Sequence, residues 1–447
     1  MSFLKNQIRW LRAHAFVRKA FIMQVSGGLA SVLQSLAGVV LARVLKPELF
    51  GQYSLAFSVA SVASIVLASG FQDALMPLIA RGHARGNAEE VVLNFSYWAK
   101  WVGTSVIFVA VVAMLLPLAT AHLYGSAAVG VFAGILLVAS FVSTTVFSFA
   151  SVAAQVAGRI TVLAWLSLTD MIVRYGVATA LTVAGAGVLG ASTGHLFGAV
   201  IILLISIPVY SFMRTRDKLF PRLSDVIRHA RTVSWRLHLS RGIWVWIDRN
   251  FGTIYQALPV AMVGLFIPIA SVAFFKLAFG YVNTGMAVLG PVSLLLNTEF
   301  AKIQVMSPRR LRSAFIRVSL MGMAIAGGVT LFAIAVGPWV FRLLYGSAYM
   351  PGVQLVYGLV VYGFILGLGI GLGPMWRTLN KVRTSVAINC GVLGVGIPLG
   401  LLLMHMFGSW GGVATVTLWY GAAHFGSFFY VLRELNHESG KVLPIIV

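Results

Sequence analysis

The sequence predicts an all-α, polytopic integral membrane protein of about twelve transmembrane helices, arranged as two parallel six-helix repeats. Three observations predict it. The 447 residues are 59% hydrophobic and only 10% charged, with a mean hydropathy of +0.92, whereas a soluble domain carries about 25% charged residues. Apolar runs recur from end to end, each near the ~20 residues that a helical span needs. The pentapeptide Leu-Tyr-Gly-Ser-Ala occurs at Leu123–Ala127 and again at Leu344–Ala348, an offset of 221 that is close to half the chain. Other matches fall on nearly the same offset, 222 or 223. Leu55-Ala56-Phe57 recurs as Leu277-Ala278-Phe279, Gly158-Arg159 aligns with Asn380-Lys381, Gly190 with Gly412, and Gly198-Ala199 with Gly421-Ala422. A shared offset over so many positions reads as a duplicated half.

Residues 1–19 are basic and amphipathic (Phe3, Leu4, Ile8, Trp10 and Leu11 among Lys5, Arg9, Arg12, Arg18 and Lys19). They lack the apolar core and small-residue cleavage site of a signal peptide and read as an interfacial helix on the cytoplasmic leaflet. Twelve spans follow, at 20–42, 53–80, 92–116, 127–153, 160–183, 188–212, 243–267, 269–297, 314–337, 352–374, 384–405 and 410–432. Each is far longer than a barrel strand, so helices are expected. Pro259, Pro268, Pro291, Pro374 and Pro398 mark kinks or span ends. The longest hydrophilic stretch, 213–242, carries eight Lys and Arg residues and falls between the sixth and seventh spans. It divides the chain into an N-terminal lobe 1–212, a basic cytoplasmic linker 213–242 and a C-terminal lobe 243–447. An even number of spans per lobe makes the repeats parallel.

Lys and Arg set the orientation. With the N-terminus inside, the inside segments hold 25 of them and the outside loops three: Arg43, Lys46 and Arg342. Both termini are therefore expected in the cytoplasm. The net charge of +22 is then mainly a topology signal, and no nucleic-acid partner is expected. Basic loops also attract anionic lipid headgroups.

Eight Asp, Lys or Arg residues lie within the spans: Asp73, Lys100, Asp170, Arg174, Asp248, Arg249, Lys276 and Arg317. Each costs about 2.5–3.5 kcal/mol at a helix centre, so such groups face a bundle interior or a water-filled cavity. Arg317 sits near a cytoplasmic end and snorkels. Asp170 and Arg174, spaced i, i+4, share a face and can pair. Asp248 and Arg249 point about 100° apart, so each needs its own contact. Polar-to-small stripes run along span one (Gln24, Gly27, Gly28, Ser31, Gln34, Ser35, Gly38) and span eight (Lys276, Gly280, Asn283, Thr284, Ala287); the same pattern suits plain helix packing. The eight charges sum to +2, which favours an anion, and arginine suits phosphate through its planar fork.

His195 and His424 lie inside spans six and twelve and read as hydrogen-bonding residues. Cys390 is the only cysteine, which leaves no cysteine metal site or intrachain disulfide. No phosphate-binding glycine-lysine loop, His-Glu metal motif or nucleophile elbow occurs. No catalytic residue, metal or cofactor is expected, and the outside loops are too short for an extramembrane catalytic domain.

Several stretches resemble one family. They are Arg43-Val-Leu-Lys-Pro-Glu-Leu-Phe-Gly51-Gln-Tyr53, Gly70-Phe71-Gln-Asp-Ala74, Ile247-Asp248-Arg249, Phe274-Phe275-Lys276-Leu277-Ala278, Leu344-Tyr-Gly-Ser-Ala348 and Gly411-Gly412-Val-Ala414. Their order and spacing are similar to the Wzx-type oligosaccharide flippases of the multidrug/oligosaccharidyl-lipid/polysaccharide (MOP) exporter superfamily. The resemblance implies a two-lobed helical bundle that moves a polyprenyl-diphosphate-linked oligosaccharide from the inner to the outer leaflet of the bacterial plasma membrane. It also implies that the two six-helix repeats surround a central cavity and that this cavity is cationic.

The residues chosen for that cavity are this chain's own. Arg174, Arg249 and Lys276, with Lys100 at the cytoplasmic side, are expected to hold the diphosphate. Asp73, Asp170 and Asp248 are expected to orient them or to titrate. The expected partners are the lipid-linked oligosaccharide, membrane lipids, and a polysaccharide polymerase with its assembly proteins. Two other readings stay open: an organic-cation exporter of the same superfamily, and an intramembrane polysaccharide polymerase or ligase.

Overall fold

A computed structural model describes residues 15–67, 69–286 and 308–441, with short pieces between 292 and 304. These residues are almost entirely helical, and no strand occurs among them. The helices are α1 (Ala15–Ala63), α2 (Ser69–Ala84), α3 (Ala88–Tyr124), α4 (Ala127–Val156), α5 (Ile160–Leu181), α6 (Gly187–Arg216), α7 (Leu223–Ala230), α8 (Leu239–Val263), α9 (Ile269–Met286), α10 (Pro308–Val340), α11 (Pro351–Gly358), α12 (Val360–Leu368), α13 (Leu372–Thr378) and α14 (Val382–Lys441).

Among the described residues, seven continuous stretches are long and apolar enough to cross a membrane, two of them 57 and 56 residues long. Both long stretches turn back at a glycine outside helical geometry, Gly187 (φ 56) and Gly408 (φ 54). Helix α1 is likewise bent at Lys46 (φ 57). Divided at these breaks, the chain makes the passes expected of a multi-pass, all-α membrane protein. The lipid-accessible sides are apolar: Met114 is 81% exposed and Leu118 73%, as a bilayer-facing surface requires.

Three expectations change in detail. The loop after the first span shrinks to the bend at Lys46, followed at once by Pro47 within renewed helix. The second pass is broken: a 3-10 turn at Ser64–Val66 and an extended Leu67 separate α1 from α2. Residues 15–19 continue α1 without a break, while the interfacial reading of 1–14 lies outside the described residues. Ala287, Pro291 and most of the end of span eight lie outside them as well.

The chain forms two compact units, one of Met1–Leu45 with Val59–Asn250, the other of Lys46–Ser58 with Phe251–Val447. In the first, α3 packs on α4, and α6 packs on both α4 and α5. Its core is aromatic: Trp98 stacks on Phe149 with ring centroids 4.3 Å apart, and Phe95 and Tyr97 are fully buried. In the second unit, α10 packs on α12 and α9 on α11. There the core gathers Phe300, Leu311, Phe315, Met375, Trp376 and Val431.

The basic stretch between the sixth and seventh spans is shorter than 213–242, because α6 runs on to Arg216 and α8 starts at Leu239. It is also built into the first unit. Phe220 and Val226, on and beside the short helix α7, are each 1% exposed and join its core. The Tyr210 hydroxyl donates to the Pro221 carbonyl at 2.9 Å. The His83 ring bonds the Asp217 carboxylate at 2.6 Å.

Candidate functional site

In the first unit the ionic residues form two groups. The first stands on α5. Arg174 donates from Nε to Asp170 Oδ1 at 2.6 Å and from Nη2 to Oδ2 at 2.5 Å. This is the two-pronged geometry that makes arginine–carboxylate pairs strong, and Asp170 is buried. Next to it, the Tyr175 hydroxyl accepts a hydrogen bond from Gln34 Nε2 of α1 at 2.8 Å. The Tyr175 ring meets His195 of α6 edge-on, 5.0 Å between centroids.

Glycine spacing on α6 brings these groups together. A Cβ added at Gly194 would lie 2.4 Å from Ala178 Cα, and one at Gly198 would lie 2.5 Å from Arg174 Cα. Spaced four apart, they let the two backbones touch, as small residues do between membrane helices. His195, beside Gly194, is thereby held against Tyr175.

The second group lies where the second pass is broken. Arg249 of α8 and Asp73 of α2 approach to 3.5 Å, with side chains 67% and 41% exposed. Trp246, one turn before Asn250, donates its indole N–H to the carbonyls of Ile65 and Leu67 at 3.1 and 3.3 Å. Those contacts pin α8 to the break. Asp248 is half-buried and its neighbour Arg249 exposed, as residues 100° apart on a helix should be.

Lys100 of α3 meets the linker. Its ammonium donates to the Val233 carbonyl at 2.6 Å and stands 4.7 Å from the Trp235 ring centroid. Tyr97, one turn earlier, donates to the Trp235 carbonyl at 3.1 Å. Lys100 thus fastens the linker to α3.

In the second unit Lys276 stands alone among the expected site residues. It lies on α9, half-buried, with its ammonium 6.0 Å from the Phe57 ring centroid. Among the described residues no carboxylate forms an ion pair with it. Two turns on, Asn283 Oδ1 accepts from the Tyr362 hydroxyl at 2.7 Å. Tyr362 meets Tyr420 edge-on at 5.0 Å, and Tyr420 meets Tyr255 at 5.0 Å and His424 at 5.6 Å. His424 Nδ1 bonds the Ile365 carbonyl at 3.0 Å.

The sequence reading noted the two histidines and Asn283 but missed Tyr175, Tyr255, Tyr362 and Tyr420. A signal was present. Membrane tyrosines concentrate at the two interfaces, and these four lie well inside spans. Among the described residues no group of His, Cys, Asp and Glu could hold a metal ion.

A multi-pass helical bundle with ionic groups inside its spans is the class of protein these features define. The model of a family described as polysaccharide biosynthesis protein matches residues 16–294. The chain belongs to that family. Solved structures share its fold. One is a multidrug resistance MATE family transporter of the MOP superfamily in an inward-facing conformation, with a TM-score of 0.72 and 15% identity, covering 94% of this chain and 99% of that one. A second is a MATE family transporter in the outward-facing conformation, at 0.63 and 16%, covering 94% and 96%. A third, at 0.58 and 15%, covering 95% and 96%, is a MOP superfamily transporter from Pyrococcus furiosus, described as having a binding pocket of reverse polarity that suggests a different function. No protein of curated function matches the sequence.

Proposed function

We propose that this protein is a flippase of the MOP superfamily. Its cargo is a polyprenyl-diphosphate-linked oligosaccharide, carried by alternating access from the cytoplasmic to the outer leaflet of the bacterial plasma membrane, for surface polysaccharide biosynthesis. It acts as a transporter and not as an enzyme. Both termini are cytoplasmic, and a polysaccharide polymerase takes the product on the far side.

The observation that carries this reading is Lys276. A cation on an apolar helix with no carboxylate partner is costly unless something anionic visits it. Arg249 adds a second available charge, since its pairing with Asp73 is long and exposed. Arg174 is neutralised by Asp170, so it positions Tyr175 and the surrounding polar groups more than it supplies free charge. Lys100, bound to the linker, drops to a supporting role. Tyrosines inside the spans suit a sugar, because each offers a flat apolar face and a polar tip.

The likeness to MATE transporters favours a second reading, an organic-cation exporter. The fold itself does not fix the cargo, since one relative of that fold is described as having reverse polarity. An organic cation calls for unpaired acids, and here the buried acid, Asp170, is bridged by Arg174 at both prongs.

The test is surface polysaccharide in cells carrying Lys276→Ala or Arg249→Ala at normal protein levels. Loss in both, with Lys276→Arg restoring it, supports the flippase. Full polysaccharide in both, together with new drug sensitivity in a deletion strain, turns the assignment to the exporter.

A further inference from the structure

A cavity of about 590 Å³ opens at the start of α10, lined by Glu299, Lys302, Ile303, Arg310, Ser313, Ala314 and Arg317. Its size falls within the range of small-molecule sites. From the structure we infer that this cavity is a phosphate-ester site that takes the headgroup of an anionic lipid at the cytoplasmic end of the second unit. The inference rests on the orientation proposed above, and it names a place of first contact distinct from Lys276 and Arg249.

Helix geometry builds the site. Arg310, Ser313, Ala314 and Arg317 follow i, i+3, i+4, i+7 and so share one face. The face is fixed from behind: Leu311 and Phe315 are 1% and 0% exposed in the core. Arg312 falls about 200° from Arg310 and points away. The two arginines stand two turns apart, roughly 10 Å along the axis, with the small Ala314 and the hydroxyl of Ser313 between them.

Charge completes it. Three cations and one acid line the cavity. Glu299 is taken up by Lys302 at 3.0 Å. Arg310 and Arg317 form no ion pair with a carboxylate among the described residues. Two guanidinium forks and a hydroxyl around an open space match phosphate oxygens, which arginine binds in pairs of parallel hydrogen bonds. The excess of two positive charges suits a diphosphate better than a single phosphodiester. Snorkelling alone accounts for one arginine near a span end, but not for two aimed into one cavity.

The experiment is titration calorimetry on the full-length protein in detergent with farnesyl diphosphate, a soluble prenyl diphosphate. Arg310→Gln/Arg317→Gln should weaken binding at least tenfold, and Arg312→Gln should leave it unchanged. Arg310→Lys/Arg317→Lys, which keeps the charge and the fold but loses the forks, should fall between. Competition by inorganic pyrophosphate but not by phosphatidylglycerol assigns the site to the diphosphate of the cargo. Equal competition by phosphatidylglycerol leaves a phosphate-ester site and assigns it to bulk lipid. Undiminished binding in both double variants overturns the proposal, as does equal loss in Arg312→Gln. Failure of the flippase reading would appear separately, as polysaccharide made normally by both Lys276→Ala and Arg249→Ala with new drug sensitivity in a deletion strain, whatever the calorimetry shows.

Discussion

Asp170 and Arg174 illustrate what a residue pair inside a membrane can and cannot do. Spacing alone makes them neighbours, and the structure closes the bridge at both prongs. Breaking such a pair from one side strands a charge, which costs about 3–5 kcal/mol, while removing both partners costs far less. Asp170→Asn and Arg174→Gln should therefore each lower the melting temperature in detergent more than the double variant does. Additive losses would mean that the two side chains do not act as a unit. The neighbouring contacts were beyond reach of the sequence. Gln34 and Tyr175 lie 141 residues apart, and no local period reports which face of α1 meets α5. The partners of Lys100 were hidden for a similar reason. Its depth in span three was readable, but its partners Val233 and Trp235 sit in a linker with no periodicity of its own.

At the scale of elements, the duplication reappears in the turns. Gly158 (φ 70) and Asn380 (φ 53) are both left-handed, and they sit 222 residues apart. The bonds around them also repeat: Arg159 N–H to the Ala154 carbonyl at 2.8 Å, and Lys381 N–H to the Trp376 carbonyl at 3.0 Å. Gly187 and Gly408, 221 apart, share φ near 55° with ψ of −143° and −126°, a region open essentially to glycine alone. Alanine at either should cost about 1–3 kcal/mol, read as a lower melting temperature. Asn380→Gly should be nearly neutral, because glycine takes the left-handed conformation at no steric cost. The spans and their turn residues were legible because apolar length and glycine position are local signals. The break before α2 was not, since Ser64–Leu67 holds neither glycine nor proline, and the helix α7 was not, since its eight residues are too few to show an apolar period. The linker gives a further expectation. Its many arginines are trypsin sites held down by Lys100, Tyr97, His83 and the buried Phe220. Lys100→Ala combined with His83→Ala should speed tryptic cleavage between 214 and 241 severalfold without changing cleavage elsewhere. Unchanged cleavage would mean that apolar burial of Phe220 and Val226, worth about 1.5–3 kcal/mol each, suffices alone.

For the whole molecule, charge bias and repeat make one joint statement about topology. The bias of 25 Lys and Arg to three, in the orientation proposed above, predicts a side for every loop. The repeat independently requires that equivalent loops fall on one side, because six passes, an even number, separate them. The two Leu-Tyr-Gly-Ser-Ala turns are the sharpest test, since both contain a glycine at positive φ, Gly125 (φ 66) and Gly346 (φ 98). With Cys390, the only cysteine, replaced by alanine, single cysteines at Ser126, Ser347 and Ser224 can be probed in intact cells with a membrane-impermeant maleimide. Ser126→Cys and Ser347→Cys should both label from outside, and Ser224→Cys, in the linker helix α7, only after the cells are opened. Labelling of Ser126→Cys without Ser347→Cys would require an odd number of passes between them. The second lobe would then run inverted, and the cavity at Arg310 and Arg317 would face the wrong leaflet to receive a lipid made in the cytoplasm.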